Sequence, residues 1–270
     1  MLAWITNHAQ FLLGVVTILV YFATMVWETL YPRRAATQSP GQRWLRVGSI
    51  YAMGLLSFRL CFPFAALALV DWAQREGIGV FNQVVMPTGF VVLLSVVLLD
   101  LGQYAFHRLM HSVPWLWRFH RVHHSDLDLD CVSDLLHHPG EFLITGGLYY
   151  AQLLFWGFPY EAVLLATLLG AISSPWQHGN LAVSKTRQGW LRHLLVTPDM
   201  HSIHHSTAAA DGSRNFSSLF PWWDSWFGTH AAEPQCDWST LRFGLPERQR
   251  PSDVTLVSLL LEPVRRMDTH

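Results

Sequence analysis

Charge is what this sequence has least of. Only 14% of its 270 residues are Asp, Glu, Lys or Arg, where an ordinary soluble domain carries about a quarter. The charges nearly cancel, to a formal net of −1, so there is no basic excess for nucleic acid. Cys61, Cys131 and Cys236 are far apart and form no C-x-x-C pair, which argues against a disulfide framework and a zinc knuckle. The zinc-peptidase pattern H-E-x-x-H is missing. The first ten residues hold no Lys or Arg, so the apolar stretch after them lacks a signal peptide's basic leader and reads as a retained span. There is no low-complexity tract and no solenoid-like period.

Apolar and aromatic residues fill the gap. The chain is 51% hydrophobic, with thirteen Trp and sixteen Phe, and its mean hydropathy is +0.22. This is the composition of a membrane protein with interfacial aromatics. Phe11 to Tyr31, Val47 to Val70 and Val84 to Phe106 are the expected spans, each near the length of about 20 residues that crosses a bilayer. Glu141 to Phe158 and Tyr160 to Trp176 read as a helical hairpin around Gly157-Phe158-Pro159, short enough to be re-entrant. Arg33, Arg34, Arg43 and Arg46 load the first loop, which the positive-inside rule places in the cytoplasm. Counting spans from there puts every histidine cluster on the cytoplasmic side. The expected architecture is therefore an all-α integral membrane protein, with four to five transmembrane or re-entrant helices and a cytoplasmic histidine-rich helical cap. Its divisions are N-terminal membrane helices over 1–83, a catalytic unit over 84–235 and a C-terminal tail over 236–270. Within the tail, Val254 to Leu261 reads as a short peripheral helix.

Thirteen of the fifteen histidines fall between His107 and His230. His107 and His111 read H-x3-H, while His120, His123, His124 and His201, His204, His205 each read H-x2-HH. Imidazole is the commonest protein metal ligand, and offsets of three and four share a helix face. Asp100, Tyr104, His107 and His111, spaced four, three and four, make a polar stripe on an apolar helix. A carboxylate at membrane depth is a functional candidate, so Asp100 or Tyr104 is expected to support the two histidines from behind. Pro114 and the Thr197-Pro198 pair each suit a helix start, so each triplet is expected on one face of its own helix.

Eight clustered imidazoles exceed the three or four that one ion takes, so two ions are expected, with His178 a candidate ninth ligand. Ligand type alone leaves zinc, copper, iron and nickel open. Asp100, Glu141, Asp199 and Asp224 are candidates to balance the charge.

Taken together these segments resemble the fatty acid hydroxylase superfamily, which includes the sterol desaturases. The resemblance rests on D-x3-Y-x2-H-R-x2-H at Asp100–His111, F-H-x2-HH at Phe119–His124 and H-P-x-E at His138–Glu141. It also includes T-P-x2-H-x2-HH at Thr197–His205 and N-x-S-x6-D-x2-F-G-T from Asn215 to Thr229. It implies a membrane oxidoreductase with two non-haem irons, which uses O2 and external electrons to hydroxylate or desaturate an unactivated C–H bond of a lipid. By that similarity His107, His111, His120, His123, His124, His201, His204 and His205 carry over as metal ligands, and His178 joins them. For His138 a ligand role and a helix-boundary role weigh equally. Asp100, Tyr104, Glu141 and Asp224 carry over as supporting residues. His137, His193 and His230 read as structural or exposed, and His8 and His270 as uninvolved.

His138-Pro139-Gly140 echoes a haem-binding H-P-G-G, but Glu141 stands fourth and an apolar span follows. No haem is therefore expected, and electrons are expected from a separate donor protein. Trp115-Leu116-Trp117 and Pro221-Trp222-Trp223 read as a headgroup-level belt, or else as the lining of a lipid's access path. A metal transporter or storage protein is the rival from another class, though it predicts ligands near the bilayer midplane. A di-zinc hydrolase is a second rival, and such sites usually mix in carboxylate ligands.

Overall fold

The computed structural model describes residues 2–265. Among them every regular element is helical, and β-pairing is confined to two isolated bridges, Pro32 with Leu181 and Ser206 with Phe243. The long helices are α1 (Leu2–Leu30), α2 (Pro40–Cys61) and, after the shorter α3 (Ala66–Arg75), α4 (Thr88–Ser112). Next come α5 (Pro114–His120), then the pair α6 (Pro139–Trp156) and α7 (Tyr160–His178). Short helices complete the chain: α8 (Lys185–Leu191), α9 (Pro198–His204), α10 (Ala209–Gly212), α11 (Trp222–Trp226) and α12 (Leu256–Leu260). Three segments, His8–Leu30, Pro40–Asn82 and Thr88–Ser112, are long and apolar enough to cross a membrane.

Proline decides where several of these helices break. The second apolar run was expected to be one helix from Val47 to Val70. Instead α2 stops at Cys61 and α3 starts at Ala66, because Pro63 lacks an N–H and restricts the residue before it. The third helix begins after Pro87 and runs on past the expected span's end at Phe106 to Ser112, so His107 and His111 lie on it in one stripe with Asp100 and Tyr104, as expected. Pro114 occupies the first turn of α5, and Thr197 caps α9 by accepting the Met200 N–H at 3.5 Å.

The α6–α7 hairpin turns at Gly157, whose φ of +65° ends α6 in the left-handed conformation. Glycine alone adopts this without cost. Gly79, at φ +96°, packs directly on this turn, and a side chain on either residue would strike the other's backbone. Around this end Leu67, Val70, Leu99, Leu153, Phe158 and Val163 form one apolar core.

A second core, Val47, Ile50, Val122, Cys131, Val132, Leu136, Val254 and Leu259, lies at the opposite end. It joins α2 to the segment after α5 and to the C-terminal tail. The expected short helix of that tail is present as α12, with Leu259 fully buried in this core. The tail is strapped on further by Arg121 and Arg248, which both pair with buried Glu262.

The basic first loop docks at this same end together with the start of α2, on which Arg43 and Arg46 lie instead of in the loop. Arg33 pairs with Asp199, and Arg34 donates to the carbonyls of Trp238 and Leu241. Arg43, 3% exposed, binds Asp126 at 2.8–2.9 Å, Asp130 and the Ser133 hydroxyl. Removing one partner of a buried ion pair leaves the other charge uncompensated. Arg43→Ala should therefore lose about 3–5 kcal/mol of stability. Thermal unfolding of the detergent-solubilised protein measures this, and an unchanged midpoint would count against the network as a structural tie.

Candidate metal centre

The α4 stripe is organised from the backbone outward. The Asp100 carboxylate accepts the N–H groups of Leu219 (3.0 Å) and Phe220 (3.1 Å) and the Trp223 indole N–H (2.7 Å). One turn on, the Tyr104 hydroxyl meets the Thr229 hydroxyl at 2.9 Å. A further turn brings His107, whose Nδ1 lies 2.8 Å from the Phe216 carbonyl. Asp224 closes the 215–229 segment from within, accepting the N–H groups of Phe216 (2.8 Å) and Ser217 (2.9 Å) and the Thr229 hydroxyl (2.7 Å). Asn215 takes a left-handed φ of +56°, which Asn tolerates better than most residues, and its amide bridges Met200 and Ala231. The expected supporting residues Asp100, Tyr104 and Asp224 thus hold the segment that holds His107.

Nine histidines come together in two groups: His107, His111, His120, His124 and His204 in one, His123, His178, His201 and His205 in the other. Within each group the candidate ligand atoms lie within 4.8 Å of one another. These are the eight histidines of the H-x3-H and H-x2-HH motifs plus His178. The triplets do not present one face each, as the helical offsets suggest. α5 ends at His120, and His123–Ser125 form a separate 3-10 turn. Each triplet gives its i, i+4 pair to one group and its middle residue to the other: His120 and His124 against His123, His201 and His205 against His204.

The two triplets repeat each other closely. His123 and His124 are 5.4 Å apart at 89°, and His204 and His205 are 5.4 Å apart at 90°. His120–His123 and His201–His204 are likewise both at 5.4 Å, inclined 33° and 32°. His124 of one group and His205 of the other stack at 4.4 Å.

The donor set can be tested for a metal atom by atom. In the five-histidine group all five Nε2 atoms are buried and have no hydrogen-bond partner. An orphaned buried polar atom is costly, and five facing one another call for a shared cation. In the four-histidine group Nε2–Nε2 separations are 3.3 Å for His123–His178, 2.8 Å for His178–His201 and 3.0 Å for His201–His205. Ligands on one ion, at bonds of about 2.1 Å, stand roughly 3.0–3.4 Å apart. The residues fit a metal in both places.

Their tautomers agree. A carbonyl oxygen only accepts, so His107, His178 and His204 carry their proton on Nδ1, donating to Phe216, Ser174 and Arg214 at 2.8–2.9 Å. His120 Nδ1 is 2.6 Å from the buried Glu141 carboxylate. Each of these rings therefore presents an Nε2 lone pair inward, the usual way a protein orients imidazole ligands. Burial, then mutual repulsion, holds His123, His124, His201 and His205 well below the ordinary imidazole pKa, and burial takes His204 to about 3. They are neutral and ready to ligate.

Carboxylates form the next layer. Of the four expected, Glu141 stands against the histidines, between His120 and His137. Asp199 instead pairs with Arg33. Sequence reading overlooked Asp134, which accepts from Ser174 at 2.5 Å and from Tyr21 and lies 3.5 Å from His178 Nδ1. It also set aside His137, which stacks on His123 at 4.3 Å. Burial disfavours charge on His137, but adjacent Glu141 outweighs it and raises the pKa. His138 takes the helix-boundary role: its Nδ1 accepts the Gly140 N–H, and its Nε2 meets the Leu260 carbonyl. His8, His193 and His230 fall in none of the candidate groups among the described residues, and His270 lies outside those residues.

A cavity of about 600 Å³ runs from His107, His120, His123, His178 and His201 into the space between α4, α6 and α7.

The chain matches the family described as fatty acid hydroxylase over residues 92–229. It is 32% identical to an ornithine lipid hydroxylase of Rhizobium tropici over 149 residues, 55% of this chain and 44% of that protein. It is 28% identical to an alkylglycerol monooxygenase of Homo sapiens over 134 residues, 50% of this chain and 29% of the relative. A cholesterol 25-hydroxylase-like protein of Danio rerio is 26% identical over 210 residues, 74% of this chain and 78% of its own. The chain thus spans less than half the length of the first two. No solved structure matches it.

Two outcomes are expected. Elemental analysis should find two metal ions per chain, and His204→Ala or His178→Ala should each lower that number; undiminished metal in both variants would refute the assignment. Because the buried histidines have lowered pKa values, the unfolded chain binds more protons than the folded one below about pH 6.5. Their contribution to stability is complete above that value and is lost as pH falls through it toward the folded values. Metal binding, which needs neutral imidazole, declines in the same direction. Retained metal and an unchanged unfolding midpoint near pH 5 would contradict this.

Proposed function

The chain belongs to the fatty acid hydroxylase family, and from that premise we propose that it oxidises an unactivated C–H bond of a lipid at two iron ions. The observation that carries this reading is the cavity. Histidines from both groups form one end of it, and α4, α6 and α7 form its walls. A site that mates a metal-ligating face with an apolar helical pocket suits a substrate drawn from the bilayer. The relatives, an ornithine lipid hydroxylase, an alkylglycerol monooxygenase and a cholesterol 25-hydroxylase-like protein, point the same way.

In this reading His107, His111, His120, His124 and His204 hold one iron, and His123, His178, His201 and His205 hold the other. When bound, the irons supply O2 activation and the hydrogen-abstracting power that no side chain has. Hydroxylation consumes one O2, two electrons and two protons for each alcohol and water formed. Desaturation consumes the same O2, two electrons and two protons, removes two hydrogens from the bound chain and releases two waters. The residues themselves position and exclude. Glu141 orients His120, the Ser174 carbonyl orients His178 with Asp134 bracing Ser174, and Asp100, Tyr104 and Asp224 keep the 215–229 segment closed over His107. The walls of α4, α6 and α7 shield the reacting carbon from water. Electrons come from a separate donor protein.

We assign the catalytic unit to 84–235, with 1–83 contributing membrane helices and 236–270 a tail, whose α12 packs into the core formed with α2 and the segment after α5. The α6–α7 hairpin then brings the number of transmembrane or re-entrant helices to four or five. The arginine-rich first loop and the histidine groups occupy one end of the protein, and by the positive-inside rule that end is cytoplasmic. A transporter's ligands would sit near the midplane, whereas these lie where α4 ends, α6 begins and α7 ends.

Lipid mass spectrometry of cells carrying the intact chain or His204→Ala tests the reading. The intact chain should yield a lipid gaining one oxygen or losing two hydrogens, and the variant should not. Purified protein holding zinc without iron, or lacking reductant-dependent O2 uptake, would sink the proposal.

A further inference from the structure

Three helices line the cavity in matching steps. His107, Gln103 and Leu99 of α4, Glu141, Thr145 and Tyr149 of α6, and His178, Ser174 and Gly170 of α7 all face it. Successive residues in each set are four apart, about 6 Å along a helix axis. The cavity therefore has tiers. The first is metal-ligating or carries the orienting carboxylate. The second, Gln103, Thr145 and Ser174, is polar. The third, Leu99, Tyr149 and Gly170, is mostly apolar, and Ala66 and Ala166 lie with it at the far end.

Gly170 is the unexplained member of this lining. A glycine inside a helix is less stable than alanine there, so it needs a reason. Close packing is the usual one, and Gly54, Gly102 and Gly146 have it, whereas Gly14, Gly48 and Gly89, none of which lines the cavity, do not. A side chain at Gly54 would meet Phe142, at Gly102 Gln152, and at Gly146 Phe58. At Gly170 an added Cβ meets nothing within 4 Å. Thr167 and Ser174, three residues before and four after, line the same cavity, so that empty space is the cavity itself.

We propose that Gly170 sets the length of apolar chain the site accepts. The lipid places its polar linkage at the Gln103–Thr145–Ser174 tier, within a few bonds of the carbon presented to the metal end. Its hydrocarbon tail runs past Gly170 toward Ala66 and Ala166. Gly170 lies eight residues from His178, about 12 Å down the helix axis. A larger residue there truncates the pocket and leaves the upper two tiers intact. The inference rests on the lipid-oxidising reading of this site.

The test uses two fatty acid probes with a photoactivatable diazirine at the chain tip, one built on butanoic acid, too short to reach Gly170 from the polar tier, and one on decanoic acid, long enough to pass it. Labelled positions are mapped by peptide mass spectrometry on the metal-loaded, detergent-solubilised chain without reductant, so no turnover is involved. In the parent protein the longer probe should label the segment around Ala166 and the shorter one the segment around Thr145. Gly170→Leu and Gly170→Phe should cut labelling by the longer probe about tenfold, as overpacking does, while the shorter probe keeps most of its labelling. Gly170→Ala, which favours the helix, serves as the folded control and should remain close to the parent. If both probes are affected equally in Gly170→Leu, or the longer probe is unaffected in both enlarged variants, the length-setting role is overturned. If neither probe labels the cavity of the parent, the lipid-binding reading itself fails.

Discussion

Nine imidazoles with their Nε2 atoms turned inward are the constraint on which the rest of this structure depends. Five of those atoms are buried without any hydrogen-bond partner, and the other four stand in mutual contact. Such an arrangement is unfavourable unless every ring is held by something behind it and a cation is shared in front. The surroundings meet the first condition for His107, His120, His178 and His204, while the Nδ1 atoms of His123 and His201 are buried without a partner. Carbonyls of Ser174, Arg214 and Phe216 and the Glu141 carboxylate take the Nδ1 protons, and those groups are fixed in turn. Phe216 is held through its N–H by Asp224, and Asp134 braces Ser174 from α1 and the cap.

Much of this was legible in the sequence because the ligands recur at helical spacings in an otherwise apolar chain. His107 and His111 could be placed on the third helix, and the two triplets could be paired with a Pro-initiated start. The crossing of the triplets was hidden, since it depends on α5 ending at His120 and a 3-10 turn following. Local propensity does not predict such a turn. Asp134 was hidden for another reason. It follows Asp126, Asp128 and Asp130, and nothing local marks which of these faces Arg43 and which faces His178. Only the tertiary fold separates them.

The membrane helices do more than anchor the cap. α1 supplies Glu28 to Cys131 and Asn180, and α2 supplies Arg43 to Asp126 and Asp130. The part of the chain outside the family match thus reaches the histidine end through buried polar contacts. The break at Pro63 belongs to this division of labour. It lets α2 serve the histidine end while α3 closes the apolar core at the other. Between the two ends, α4, α6 and α7 leave the cavity open.

The crossed triplets also bear on how the protein is made. Neither histidine group can exist until the chain around 201 has docked against the chain around 120, some eighty residues earlier. Between them the α6–α7 hairpin must already have turned back. Closing so long a loop is entropically uphill until the contacts it enables are formed. Both histidine groups are therefore completed together, when the two triplets meet.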